Sequence, residues 1–127
     1  MAKDTKNFKV SEFACKHCGE NKITQEVIDM AQIIRDELGV PVRVNSGYRC
    51  AEHNKRVGGS PKSQHMNGNA ADLSCNLGGL ILLLAIHKLK IEGKLPMLQY
   101  CIYYPKKDFC HVDLIKRSSG NTFALSL

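Results

Sequence analysis

The chain has 127 residues, of which 43% are hydrophobic and 24% charged, a composition typical of one globular domain rather than of a disordered or fibrous protein. Its net charge of +6 comes without a dense Lys/Arg block and without Trp, so we expect no nucleic-acid binding. The longest apolar run, residues 80–86, is far shorter than the roughly 20 residues that span a bilayer, so we expect no membrane insertion.

The predicted elements of the first half are mainly helical. Residues 1–9 are predicted to be a flexible arm, and residues 10–127 a single domain. A helix is predicted after Thr24, with apolar residues at helical spacing and Gly39 just past its end. Alternating apolar residues predict a strand over 40–44, and a short helix is predicted over 51–57, followed by a loop at 58–62.

The second half is richer in predicted strands. Strands are predicted over 70–75, 98–104, 109–114 and 122–127, with a helix at about 77–90. With helices early and most strands late, the pattern predicts an α+β fold in which two or three helices pack on a mostly antiparallel sheet.

Two segments carry the residues of a predicted metal site. His65 and Asp72 lie seven positions apart across small residues, and His111 follows about forty residues later. Two imidazoles and one carboxylate are the ligand set of a catalytic zinc ion, with a fourth position left for water. We therefore predict one catalytic Zn²⁺ held by these three residues and a hydrolytic activity.

A hydrolase of this kind needs a general base near the metal, and two carboxylates are candidates. Asp113 shares a strand face with His111 and would either act at the site or orient the imidazole. Asp108 is predicted to lie in a turn from which it could lean over the open position. Spacing alone does not separate the two.

Six cysteines have no pattern that fixes a disulfide framework. Cys15 and Cys18 form a CxxC pair, which is half of a structural zinc site and would need Cys50 or a distant residue to complete it. A second metal, a disulfide and two unlinked thiols all remain open for this group. The other three cysteines have apolar neighbours and are expected to be buried thiols.

The zinc segment resembles a known family. Five residues match the motif SxHxxGxAxD of zinc D-alanyl-D-alanine carboxypeptidases, vancomycin-resistance dipeptidases and phage L-alanyl-D-glutamate endolysins: Ser63, His65, Gly68, Ala70 and Asp72. The segment 45–54, which contains SGYR, and the stretch 57–59 are similar to the compact carboxypeptidase branch, as is Ser11-Glu12-Phe13. The resemblance spans roughly residues 8–116.

This resemblance implies a fold with the zinc cleft on the sheet and roles for individual residues. His65, Asp72 and His111 would be the zinc ligands. Asp108, three residues before the last ligand, would be the base, with Asp113 as the alternative. Arg49 would steady the substrate or the oxyanion, and Ser63 would hydrogen-bond near the ligand loop or the substrate.

The resemblance also implies a substrate and a place of action. A monomeric zinc peptidase would cleave a peptidoglycan stem peptide next to a D-amino acid, as a D-Ala-D-Ala carboxypeptidase or an L-Ala-D-Glu endopeptidase. The polar start of the chain is not that of a signal peptide, so we expect cytoplasmic synthesis and access to the wall through lysis or non-classical release, as for a phage or prophage endolysin. The alternative is a non-catalytic zinc module of the hedgehog type, and a weaker one is a basic polymer-binding domain.

Overall fold

The computed structural model describes residues 1–127. Its helices are α1 (Gln25–Leu38), α2 (Ala51–Arg56) and α3 (Gly79–Ile91), and 3-10 turns cover Val10–Phe13 and Gln64–Asn67. Its strands are β1 (Val42–Ser46), β2 (Ala70–Cys75), β3 (Tyr100–Tyr104), β4 (Phe109–Asp113) and β5 (Phe123–Leu125).

The five strands form one sheet in the order β1-β2-β4-β3-β5. All neighbouring pairs are antiparallel except β3 and β5, which are parallel. The predicted α+β fold with a largely antiparallel sheet is therefore confirmed.

The sheet has one face toward the helices and one toward solvent. Alternate residues of the central strands, including Leu73, Cys110 and Val112, join the core formed with α1 and α3. Because successive strand residues point to opposite faces, Asp72 and His111 project from the other face, where a cleft opens. No helix combines the length and the apolar character needed to cross a membrane.

Local chemistry explains where the elements begin and end. Gly39 ends α1 in the left-handed conformation (φ 69°), as predicted. Thr24 occupies the N-cap position, but its side chain makes no capping hydrogen bond. Strand β1 starts two residues later than predicted, after Pro41, and a register shift between Val44 and Ser46 lets it continue through Asn45.

The N-terminal segment corrects the expectation of a flexible arm. Phe8 is buried in the core and lies against Phe13, with ring centroids 5.9 Å apart. The Thr5 hydroxyl and the Asn7 backbone amide both donate to the side-chain oxygen of Gln32 on α1, each at 2.8 Å. The polar composition of the segment concealed this anchoring, because one buried aromatic ring and a few hydrogen bonds are enough to hold it.

Candidate metal centre

The three predicted ligands come from two neighbouring strands and one turn. Asp72 on β2 is directly paired with His111 on β4, so both side chains leave the same face of the sheet. His65 lies in the 3-10 turn that precedes β2. Ser63 accepts a hydrogen bond from the His65 backbone amide at 3.2 Å, so the serine hydroxyl orders the start of this turn.

Gly68 brings the turn back toward β2. It ends the turn with φ 72°, in the left-handed region that favours glycine. A Cβ atom at this position would also overlap the carbonyl oxygen of Lys22. The glycine of the motif is thus required both by its backbone conformation and by close packing against the segment that precedes α1.

The donor atoms of the three residues converge. His65 Nε2 lies 3.1 Å from Asp72 Oδ1 and 3.2 Å from His111 Nδ1, and the last two atoms are 3.0 Å apart. Ligands of a tetrahedral zinc ion at about 2.0–2.1 Å lie about 3.3 Å from one another. The arrangement therefore fits one zinc ion without a change in the backbone.

Both imidazoles are held in the orientation that a metal ligand needs. His65 Nδ1 donates to the carbonyl oxygen of Gly47 at 2.7 Å, and His111 Nε2 donates to Asp113 Oδ2 at 2.6 Å. Such hydrogen bonds fix the tautomer and turn the other ring nitrogen toward the metal. The lone pairs of His65 Nε2 and His111 Nδ1 are thereby directed at the same point.

The charges of the cluster are strongly coupled. Burial opposes the charged form of His111, but hydrogen bonds and attraction from Asp113 and Asp72 outweigh it and raise its pKa to about 9. Burial likewise opposes ionisation of Asp72, yet the two histidines hold its pKa well below the usual range. Without a metal, His111 therefore carries a proton at neutral pH, and a bound cation has to displace it.

Asp113 orients His111 and does not face the cleft. Its side chain is fully buried, and Arg117 donates to both carboxylate oxygens, at 3.1 and 2.7 Å. The backbone amide of Ile115 donates to the same group at 3.0 Å. Burial disfavours the charged carboxylate, but these donors and His111 lower its pKa. Of the two roles left open for Asp113, the structure favours the orientation of His111 over that of base.

Asp108 lies away from the predicted metal centre, which corrects the expectation that it leans over the open position. It occupies the β3–β4 turn with φ 59°, and its Oδ1 accepts a hydrogen bond from the Gly79 backbone amide at 2.7 Å. It is absent from the residues that line the cleft. Its carboxylate caps the positive end of α3, and the left-handed backbone of the turn directs it there and away from His111.

The cleft around the three donors is strongly basic. It has a volume of about 890 Å³ and contains one carboxylate, that of Asp72. Five cationic side chains line it: Lys16, Arg49, Lys62, Lys107 and Arg117. A cleft of this charge concentrates anionic ligands.

Arg49, the arginine of the SGYR segment, lines the cleft that contains the three donors. Its backbone amide donates to the His65 carbonyl oxygen at 3.1 Å. Burial lowers the pKa of Arg49, while the negative charge of Asp72 acts in the opposite sense. Its buried Nε has no hydrogen-bond partner within the protein, so this donor is available to a ligand in the cleft.

Two further cleft residues were not predicted to be functional. Burial together with the charge of Asp72 raises the pKa of Tyr104, so its phenol stays protonated. His53 is half-buried and lines the cleft near Arg49. Strand alternation could have identified Tyr104, because Ile102 pairs with His111 and Tyr104 lies two residues further on the same face. No comparable signal marks His53.

The sulfur atoms of Cys15, Cys18 and Cys50 lie within 4.8 Å of one another, so the structure also brings the second predicted group together. All six cysteines are free thiols. Cys75, Cys101 and Cys110 are buried, as expected.

Comparisons with known proteins agree with this geometry. A sequence model of the family described as Peptidase M15 matches residues 6–113, which is most of the chain. The zinc D-Ala-D-Ala carboxypeptidase of Streptomyces albus G is 42% identical over 53 residues, or 41% of this chain and 21% of that protein. The match thus covers about a fifth of that relative's length. The family expected from the sequence is confirmed.

Proposed function

The chain belongs to the M15 family of peptidases, and on that premise we propose that it is a zinc-dependent peptidase that cleaves peptidoglycan stem peptides next to a D-amino acid. The bond is either the D-Ala-D-Ala bond at the end of the stem or the L-Ala-D-Glu bond within it. The observation that carries the proposal is the convergence of His65, Asp72 and His111 in a basic cleft.

The three donors suit zinc in chemistry as well as in spacing. Two neutral imidazoles and one carboxylate bring a single negative charge, so a divalent ion in this site keeps a net positive charge. When bound, zinc supplies a Lewis acid that polarises a carbonyl group and lowers the pKa of water. His65, Asp72 and His111 would hold it, and Gly47 and Asp113 would keep the two imidazoles aligned.

The charge of the cleft supports an acidic peptide as substrate. Five Lys or Arg side chains line it against one carboxylate, which itself serves as a metal ligand. Stem peptides carry free carboxylates, at the terminal D-Ala and on D-Glu, on the residues that flank the two candidate bonds. Arginine side chains bind such groups through paired N–H donors, so the cleft would orient the peptide by its carboxylates.

Arg49 and Tyr104 are the donors for the scissile carbonyl group. Both line the cleft that contains Asp72. Arg49 offers a fixed positive charge with an unpaired buried Nε, and Tyr104 offers a protonated phenol. Donors placed where negative charge develops stabilise the transition state more than the ground state.

His53 is the proposed proton acceptor, in place of Asp108. Burial lowers its pKa, and the positive charge of Arg49 lowers it further, so the imidazole is neutral at pH 7 and able to take up a proton. It also lines the cleft, whereas neither Asp108 nor Asp113 does.

Mass spectrometry of muropeptides after digestion of purified cell walls tests this function. Release of free D-Ala would identify a carboxypeptidase, and stems cut after L-Ala would identify an endopeptidase. His65→Ala and Asp72→Ala should lose both zinc and activity, and His53→Ala should lose activity while it keeps zinc. Asp108→Ala is the matched control and should remain active.

A folded, zinc-loaded protein that releases nothing from walls would refute the peptidase proposal and leave the non-catalytic zinc module. An inactive Asp108→Ala variant with normal folding and zinc content would restore Asp108 as the base.

The proposed substrate lies outside the cell membrane, so we also propose that the protein reaches the wall on lysis. Purified protein added to bacteria with permeabilised membranes should digest their cell walls. If expression alone, without membrane damage, releases the protein and cleaves the walls, another export route is in use.

A further inference from the structure

A second group of metal-binding side chains lies outside the cleft cluster. The sulfur atoms of Cys15, Cys18 and Cys50 lie within 4.8 Å of one another, although Cys50 is 32 positions beyond Cys18 in the sequence. His17 Nδ1 is 3.6 Å from Cys50 Sγ. In a tetrahedral zinc site with Zn–S of about 2.3 Å and Zn–N of about 2.0 Å, sulfur and nitrogen ligands are about 3.5 Å apart.

The backbone around these sulfur atoms is shaped to hold them. Residues 15–20 form a tight turn in which the Gly19 amide donates to the Cys15 carbonyl at 2.9 Å and the Cys15 amide donates to the Glu20 carbonyl at 2.7 Å. The Cys50 amide donates to Cys15 Sγ, and the His53 amide donates to Cys50 Sγ, each at 3.4 Å. Backbone N–H groups directed at sulfur stabilise metal-bound thiolates.

We propose that Cys15, His17, Cys18 and Cys50 bind a second zinc ion, distinct from the one in the cleft. Three thiolates and one imidazole fill all four positions of a tetrahedral site, so this ion is structural and has no position open for substrate. A disulfide would join two of the three cysteines and would leave the third sulfur and the imidazole without a function.

His17 is the fourth ligand rather than His53. The two imidazole rings are stacked nearly in parallel, with an angle of 3° between their planes and centroids 6.1 Å apart. His17 has a ring nitrogen 3.6 Å from Cys50 Sγ, while His53 lines the cleft. His17 lies outside the group of three sulfur atoms that are within 4.8 Å of one another, so its ring would turn toward Cys15 and Cys18 when the metal binds. The second zinc would join the turn at residues 15–20 to the segment that carries Arg49 and His53.

Metal analysis of protein purified under reducing conditions tests the site. We expect two zinc ions per chain in the natural sequence, one in His65→Ala, one in Cys18→Ser and none in the double variant. Cys18 is exposed, so its replacement removes a ligand with little loss of packing. Cys75→Ser is the control and should keep two, because serine can make the bond that Cys75 makes to the Gly78 carbonyl oxygen.

Cobalt substitution distinguishes the two sites by their chemistry. Thiolate ligands give cobalt an intense near-ultraviolet charge-transfer absorption that imidazole and carboxylate ligands lack. This absorption should persist in His65→Ala and disappear in Cys18→Ser.

A single zinc per chain that is lost in His65→Ala, or an unchanged metal content in Cys18→Ser, would overturn the proposal. A Cys15–Cys18 disulfide in fully active protein that was purified without reductant would also overturn it. If Cys18→Ser fails to fold, the number of zinc ions per chain in the natural sequence and in His65→Ala still tests the proposal. Loss of the cleft zinc alone would contradict the peptidase function and not this site.

Discussion

Replacing Asp113 with Asn should weaken zinc binding although Asp113 is not a ligand. Four donors converge on its buried carboxylate: His111 Nε2, the two terminal nitrogens of Arg117 and the Ile115 amide. An asparagine has one oxygen and one NH₂ group, so in either orientation it presents a donor to another donor. The imidazole then loses its anionic partner or is displaced from its position.

The size of the effect follows from that geometry. Changes in the partner of a metal-binding histidine cost about 10- to 100-fold in metal affinity, or about 1.4–2.7 kcal/mol. We expect the upper end of that range, because Asp113 is fully buried and water cannot replace the lost acceptor. The metal-free protein should also lose about 1–3 kcal/mol of stability for the same reason.

Competition with a chromogenic chelator at fixed pH measures the zinc affinity. Asp108→Asn is the matched control, because it is the same substitution at a residue in the turn before β4. The Asp108 carboxylate caps α3 through the Gly79 amide and does not contact His111. The control should melt at a lower temperature and bind zinc as tightly as the natural sequence. Unchanged zinc affinity in Asp113→Asn, or an equal loss in both variants, would refute the assigned roles.

Four further predictions concern the same cleft. Zinc affinity should rise about tenfold per pH unit between 6.5 and about 9, because the ion displaces one proton from His111; a flat profile in the chelator assay would contradict this. In the metal-free protein, the raised pKa of His111 stabilises the folded state, and this contribution is fully present below pH 6.5. It should be lost as the pH rises through about 9, and the melting temperature should fall over that range. Gly68→Ala should lower the free energy of unfolding by more than about 1–2 kcal/mol, because alanine is strained in the left-handed conformation and its Cβ would also overlap the Lys22 carbonyl oxygen. An unchanged thermal melt would disprove the packing argument. Tyr104→Phe should lower kcat about 10- to 100-fold with zinc content unchanged, whereas an effect on KM alone would assign the hydroxyl to substrate binding.

Local patterns in the sequence predict much of the fold. Strand β2 matches its predicted range, and α1 ends at the glycine that the pattern identified. The errors come from interactions that are distant in sequence. Nothing in the polar composition of residues 1–9 indicates that Phe8 reaches the core, and the continuation of β1 to Ser46 depends on pairing with β2.

The metal ligands could be predicted from residue chemistry, whereas the base depends on side-chain direction and could not. Two histidines and one aspartate are a recognisable zinc set, and the structure brings them together. The base was not predictable from spacing, because a residue three before His111 can face either side of the sheet according to the turn. The left-handed backbone of Asp108 directs its carboxylate to α3, a direction that no sequence pattern specifies.

The segment from Gly47 to Cys50 connects the cleft cluster to the proposed second zinc site. The Gly47 carbonyl holds His65, and a Cβ at Gly47 would lie 2.5 Å from the Phe13 carbonyl oxygen, to which the Tyr48 amide donates. The next two backbone amides donate to the His65 carbonyl and to Cys15 Sγ. This segment thus contacts the cleft cluster through Gly47 and Arg49 and the sulfur cluster through Cys50, and the Arg49 side chain lines the cleft. A change such as Gly47→Ala would displace the segment as a whole, so it should reduce the occupancy of both metals together, whereas ligand variants should remove them one at a time.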